Sequence, residues 1–200
     1  MVDASIVPVP KQTLNKDERA IVQQDAMPPE WSPSKRRQKG VQARWTQKHG
    51  KSHFGFKLSS SVDRRHKPIR RVHVSTASRN DTLHFERVLD ASNTSGDVYA
   101  DKGYVDGERE QRLRAQGWRG HIQRKGQAGK PLADCQERRN KRIAEVRARV
   151  AQVFTGLEQT GGKALRSIGL ARATPHPNWK AATYNRRRRC SLMEVGPTPF

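Results

Sequence analysis

The 200-residue chain carries 40 Lys+Arg against 19 Asp+Glu, a net charge of +21, with 33% hydrophobic residues, a mean hydropathy of −0.95 and a pI near 11.0. That length suits one compact domain with tails, and the charge excludes an acidic solvating chain and favours a polyanionic partner, nucleic acid by default. No apolar run approaches the ~18 residues of a membrane span, which predicts a soluble chain with no membrane partner. Cys135 and Cys190 lack CxxC spacing and histidine partners, so neither a disulfide framework nor a zinc site is indicated and a reducing compartment is implied.

In chain order, residues 2–7 form a short strand that Pro8 and Pro10 break. Residues 8–44 read as a long basic loop, with Pro28-Pro29, Ser32-Pro33 and Lys35-Arg36-Arg37 and too few apolar residues to cover a helix face. Residues 53–58 and 69–74 are strand-like and the turn-like 63–68 between them predicts a hairpin. Asn80 offers an N-cap to a short helix carrying Leu83, Phe85, Val88 and Leu89. A strand at 97–100, a charged helix over 106–116 stopped by Gly117, and a strand at 120–123 follow. The clearest signal is a long helix whose Ile143, Val146, Val150, Val153, Phe154 and Leu157 form one apolar stripe. Gly161-Gly162 ends it, Asn178 opens a last helix running into the arginines at 186–189, and 191–200 is a tail.

Charge is unevenly placed: residues 34–73 sum to +12, 74–108 to −4 and 109–189 to +16. The middle block gathers Asp81, Asp90, Asp97, Asp101, Asp106 and Glu108. Carboxylates repel phosphate unless a cation intervenes, so basic flanks around an acidic centre fit a metal-dependent enzyme of nucleic acid, although helix capping is the commoner use of any one acid. Lys35, Arg36, Arg37, Arg44, Arg64, Arg65, Arg124, Lys125, Lys130, Arg147 and Arg149 are candidate nucleic-acid contacts, and a merely solvated face fits the basic runs equally. The stretch 126–130, with Gly126, Ala128 and Gly129 before Lys130, reads as a basic turn at DNA, not as a P-loop. Trp31 and Trp45 either pack beneath the loop or stack on an exposed base. The histidines, His49 among them, show no mutual metal spacing and read as structural or surface residues.

Five strings in this order, VDASIV at 2–7, ARWTQKHGKSHFGFKLSSSVDRRHKPIRRVHVSTA at 43–77, DVYADKGY at 97–104, HIQRKGQAGKPL at 121–132 and RARVAQVF at 147–154, resemble the catalytic domain of bacterial insertion-sequence DDE transposases of the insertion sequence 5 group. The resemblance implies an α/β fold, a ribonuclease-H-like mixed sheet flanked by helices, over 1–160 with the 8–44 loop insertion, and a C-terminal helical basic extension over 161–190. It implies that Asp3 and Asp101 are catalytic and hold Mg²⁺ or Mn²⁺, weakly bound in this chain. The strands that carry them would lie side by side, about 4.8 Å apart. The partners implied are double-stranded DNA, as transposon ends and target, and a homo-oligomer on DNA, in the bacterial cytoplasm at the nucleoid.

Two departures qualify the resemblance. Family members place a glutamate in the long helix where this chain has Ala151. The family's arginine four residues earlier is kept as Arg147, but its aromatic is Ala144 and its lysine is Glu158. Glu158 lies on nearly the same helix face as Ala151 but roughly 10 Å along the axis, and Glu145 points about 120° away, so neither is expected to replace the missing ligand. The helical end-recognition region that normally precedes the first aspartate is also absent before residue 3, which reads as a truncated, decaying copy, impaired in cleavage and, at the extreme, a non-catalytic DNA-binding remnant.

Overall fold

The computed structural model describes residues 1–48, 50–127 and 129–195, with the backbone alone for Asp81 and Val195. His49, Ala128 and the last five positions of the expected tail, 196–200, lie outside the described residues. Strand β1 (Val2–Pro8) is buried on both sides: Met1 and Val7 face one core while Val2 faces the other. It pairs antiparallel with the long strand β3 (Lys51–Val62), Asp3 opposite Ser60 and Val7 opposite Phe56. Strand β4 (Ile69–Thr76) pairs with the other edge of β3, so the expected hairpin is present. Strand β2 (Arg44–Lys48), absent from the sequence reading because its residues are polar or exposed, pairs with the first half of β3.

The segment between β1 and β2, expected as loop, contains helices α1 (Lys16–Gln23) and α2 (Pro33–Gln38). Both are too short for an apolar stripe, and their start signals carry them instead. Asn15 and Glu18 form a reciprocal capping box, and Ser32 caps α2 with Pro33 in its first turn. Val22, Trp31 and Val41 make a small core under them. The Trp31 Nε1–H donates to Glu18 Oε1 at 2.8 Å, and Lys35 donates to the same oxygen.

After β4, the expected short helix is a pair of 3₁₀ turns at Asp81–His84 and Glu86–Val88. The buried Arg109 pins them, donating to Glu86 Oε1 at 2.9 Å, the Thr82 carbonyl at 2.7 Å and the Tyr104 carbonyl at 3.3 Å. Strand β5 (Asp97–Ala100), helix α3 (Gly107–Ala115) and strand β6 (Arg119–Ile122) form a β-α-β unit with a parallel ladder. β1 packs beside β5, but among the described residues no hydrogen-bonded ladder joins them, so the sheet is a four-stranded antiparallel part and a two-stranded parallel part.

Helix α4 (Asp134–Gln159) lays its stripe on the sheet, burying Ile143, Val150, Val153 and Leu157. After the four-residue α5 (Leu170–Ala173), helix α6 starts at Pro175, earlier than expected, and runs to Val195. It belongs to the main core, not to an appendage: Ala181 is buried there with Leu165 and Ala173. Gly156 lets α6 approach α4, since a Cβ would stand 2.7 Å from the Tyr184 ring. The Asn185 amide accepts from the Ile69 N–H and donates to the Ile69 carbonyl, both at 2.8 Å, so it satisfies backbone groups on the open edge of β4.

Lys35 and Trp31 hold the Glu18 carboxyl down to about 2 from its ordinary 4.5. A depressed carboxyl adds stability that is complete above the ordinary value and is lost as pH falls through the folded one. Pepsin should therefore cut within 12–44 increasingly as pH falls from 4.5 towards 2, before it cuts elsewhere. Trp31→Ala should cost this lobe about 3–5 kcal/mol and expose the same segment to proteolysis at neutral pH.

Candidate active site

The odd-numbered side of β1 that carries Met1 and Val7 into the α4-facing core also carries Asp3. Its Oδ1 accepts from the Ala4 N–H at 2.8 Å. Asp101 follows β5 and caps the 3₁₀ turn Lys102–Tyr104, its Oδ1 accepting from the Gly103 N–H at 2.6 Å. Glycine favours this close approach, because a Cβ would lie 2.9 Å from that same oxygen and the carboxylate would have to shift. The cap fixes the carboxylate and leaves its second oxygen for another partner.

That partner comes from α4. Arg147 Nη2 stands 3.2 Å from Asp3 Oδ2 and 3.9 Å from Asp101 Oδ2, while Nη1 donates to Gln123 Oε1 at 3.1 Å. The two carboxylate oxygens are thus separated by less than the sum of those two contacts, although Asp3 and Asp101 are far apart in the chain. Gln123, just past β6, is itself held by a bond from its amide to the Asn140 carbonyl. Burial pushes the Asp3 carboxyl above the ordinary range; Arg147, the Ala4 N–H and Lys48 oppose the shift and Asp101 adds to it.

Ala151, one helical turn beyond Arg147, is exposed and brings no oxygen ligand. Glu158 pairs with Lys163 at 3.0 Å and borders a small cavity with Ser5 and Val7; eleven residues past Arg147, it is about 16 Å further along the helix. Glu145 is exposed. Among the described residues no cluster of three or more His, Cys, Asp or Glu is arranged to hold a metal. The donor set fits one divalent ion shared by two carboxylates, as magnesium sites completed by phosphate oxygens use, on condition that Arg147 yields its place. It does not fit three protein carboxylates.

The basic candidates divide into two groups. Lys35 is paired with Glu18, Arg44 with Asp25 and the Val22 and Val41 carbonyls, Arg124 with both oxygens of Glu110, and Arg147 with Asp3. Arg36, Arg37, Arg64, Arg65, Lys125, Lys130 and Arg149 have exposed side chains, with Arg64 donating to the Tyr99 hydroxyl at 3.0 Å. Sequence reasoning missed Gln123 and Lys48. Neither has a local signal, since only the tertiary fold brings them towards Asp3.

A paired-carboxylate site on an α/β scaffold within a strongly basic chain defines a class, and the comparisons give its family. Residues 1–186 match the transposase DDE domain, and the chain belongs to that family of insertion-sequence transposases. It is 28% identical over 189 residues to the transposase for insertion sequence element IS1106 of Neisseria meningitidis serogroup B, an alignment covering 92% of this chain. The chain spans 62% of that relative's length. No solved structure matches it significantly. Domains of this family generally use divalent metal ions. No helix among the described residues is long and apolar enough to cross a membrane.

The Asp3–Arg147 contact should be energetically coupled. Arg147→Met should destabilise the chain by leaving the desolvated Asp3 carboxylate without its countercharge, whereas Asp3→Asn, which removes a charge that burial disfavours, should cost little. In urea unfolding, the double variant should be less destabilised than the two single losses imply, by about 0.5–3 kcal/mol; strict additivity would mean the pair is solvent-screened.

Proposed function

We propose that this chain is the ribonuclease-H-like catalytic domain of a transposase of the insertion sequence 5 group, built for DNA strand cleavage and transfer and impaired in it. The observation that carries this reading is the convergence of Asp3 and Asp101 on the single Arg147 guanidinium. The spatial order β4, β3, β1, β5, β6 supports the fold assignment. Asp3 and Asp101 would hold Mg²⁺ or Mn²⁺, which when bound supplies Lewis-acid stabilisation to phosphoryl oxygens. Arg147 neutralises the two carboxylates and has to swing towards the DNA phosphate to free them. Transposon-end and target duplex would run over Arg36, Arg37, Arg64, Arg65, Lys125, Lys130 and Arg149, leaving Lys35, Arg44 and Arg124 as cations that hold the fold. A homo-oligomer on DNA at the bacterial nucleoid is part of the same reading.

Ala151 favours a second reading, a chain that binds DNA and no longer cuts it. A lost ligand acting on transition-state charge costs several kcal/mol, and about 1.4 kcal/mol is tenfold, so cleavage should fall roughly a thousandfold or more. With inverted-repeat DNA and Mg²⁺ or Mn²⁺, the unmodified chain should give no detectable product. Ala151→Glu should raise metal affinity, read as a larger metal-dependent rise in Tm. Robust cleavage by the unmodified chain, abolished by Asp101→Ala, would show that another residue completes the site.

Duplex binding is independent of the carboxylates. Six or more phosphate contacts would weaken affinity about a thousandfold or more between about 50 and 200 mM salt. A flat salt response would mean that the exposed cations do not meet phosphate.

A further inference from the structure

The two tryptophans flanking α2 have opposite fates. Trp31 is 3% exposed and its indole is spent on Glu18, whereas Trp45 on β2 is 53% exposed. Exposure alone names no ligand, since Trp179 on α6 is 74% exposed; what distinguishes Trp45 is the aromatic neighbour and the cavity beside it. Trp45 is paired in register with Phe54, so both rings stand on one face of the sheet, their centroids 5.4 Å apart. Behind them, between the β2–β3 hairpin and the lobe holding α1, lies a cavity of about 630 Å³.

The walls state the ligand's chemistry. Trp45 and Phe54 offer aromatic surface, Leu14 and Val22 an apolar floor, and Arg19 and Gln23 a polar edge. Lys11, outside the lining itself, holds its Nζ over the Trp45 ring at 5.5 Å from the centroid, a place it would give up to a stacked base as it turns to the attached phosphate. Arg44 also borders the space, but its charge is taken by Asp25. No carboxylate is among the lining residues. The volume lies within the roughly 300–1,000 Å³ of small-ligand sites. A planar, π-stacking body attached to a negative group satisfies every wall, and a nucleotide has that composition.

We propose that this cavity binds one unpaired nucleotide of a DNA strand, its base stacked on Trp45 and its phosphate met by Lys11 and Arg19. The inference rests on the DNA-processing reading and adds a second contact point to it. Phe54 and Ser60, the β3 partners of Trp45 and Asp3, are six residues apart on β3, and even spacing puts Trp45 and Asp3 on the same sheet face, about 20 Å apart along the strand. Stacking is indifferent to base identity, so the site would tolerate sequence and require an unpaired base.

The full chain is titrated with a fluorescent short oligothymidylate and, separately, with a duplex of equal length. Trp45→Ala should weaken oligothymidylate binding about ten- to hundredfold and leave duplex affinity unchanged. Trp45→Phe should retain most of the binding, and Arg19→Gln with Lys11→Gln should lower it and flatten its salt dependence. Unaltered oligothymidylate affinity in Trp45→Ala, or equal losses for both DNAs, would overturn the proposal; the latter would mark Trp45 as structural. Strong duplex binding with no oligothymidylate binding by the parent chain refutes the cavity alone, while absence of both refutes the DNA-processing reading.

Discussion

The Arg147 guanidinium sits where three separate segments end: the start of β1, the turn after β5 and the residue after β6. Taking the Asp3 carboxylate largely out of water is unfavourable unless a countercharge is supplied in the same place. α4 supplies it, and only in one orientation. Sliding the helix by one residue would rotate Arg147 by about 100° and simultaneously withdraw Val150, Val153 and Leu157 from the core. Apolar packing and charge neutralisation therefore select the same docking of α4, and the geometry of the carboxylate pair depends on that agreement.

The sheet is built to let β1 serve two cores. With β3 along one edge and β5 packed near the other, the strand has no open edge, and its alternation divides Met1 and Val7 from Val2. A polar residue on such a strand is conspicuous for a physical reason: it must meet a partner delivered from outside the sheet. Ser60, directly across from Asp3 and 1% exposed, marks the same polar interruption on β3. The open edge at β4 is treated differently, with Asn185 meeting backbone groups and Arg188 donating to the His66 carbonyl at 2.8 Å.

Much of this was legible in the residues. The α4 stripe, the β3–β4 hairpin, β5 and β6 carry their own periodicity, and the DKGY string after β5 encodes a cap followed by a glycine that leaves room for the capping oxygen. The lobe before β2 was illegible by periodicity, because helices of eight and six residues cannot display a stripe. Their Asn15–Glu18 and Ser32-Pro33 start signals were nevertheless present in the sequence. The pairing state of each cation was not readable at all. Arg44 and Arg149 look alike in a basic chain, yet one is bound to Asp25 and backbone carbonyls and the other is exposed.

The acidic block over 74–108 resolves by the same accounting. Asp90 meets Arg70 and Arg71, and the Ser92 hydroxyl and N–H hold its carboxyl below the ordinary range. Asp97 accepts from Arg119 and His121 and is likewise lowered. Asp106 caps α3, and Glu86 holds Arg109. These acids are consumed in fastening the β-α-β unit and the 3₁₀ turns to the sheet, so their charges are largely cancelled locally. Asp101 differs from them in kind: one oxygen makes a cap, and the other faces Arg147 and Asp3. The acidic centre that the charge pattern announces is therefore much smaller in space than in sequence, two carboxylates and one guanidinium, and the cations left exposed around it face solvent without a comparable acidic field to repel a phosphate backbone.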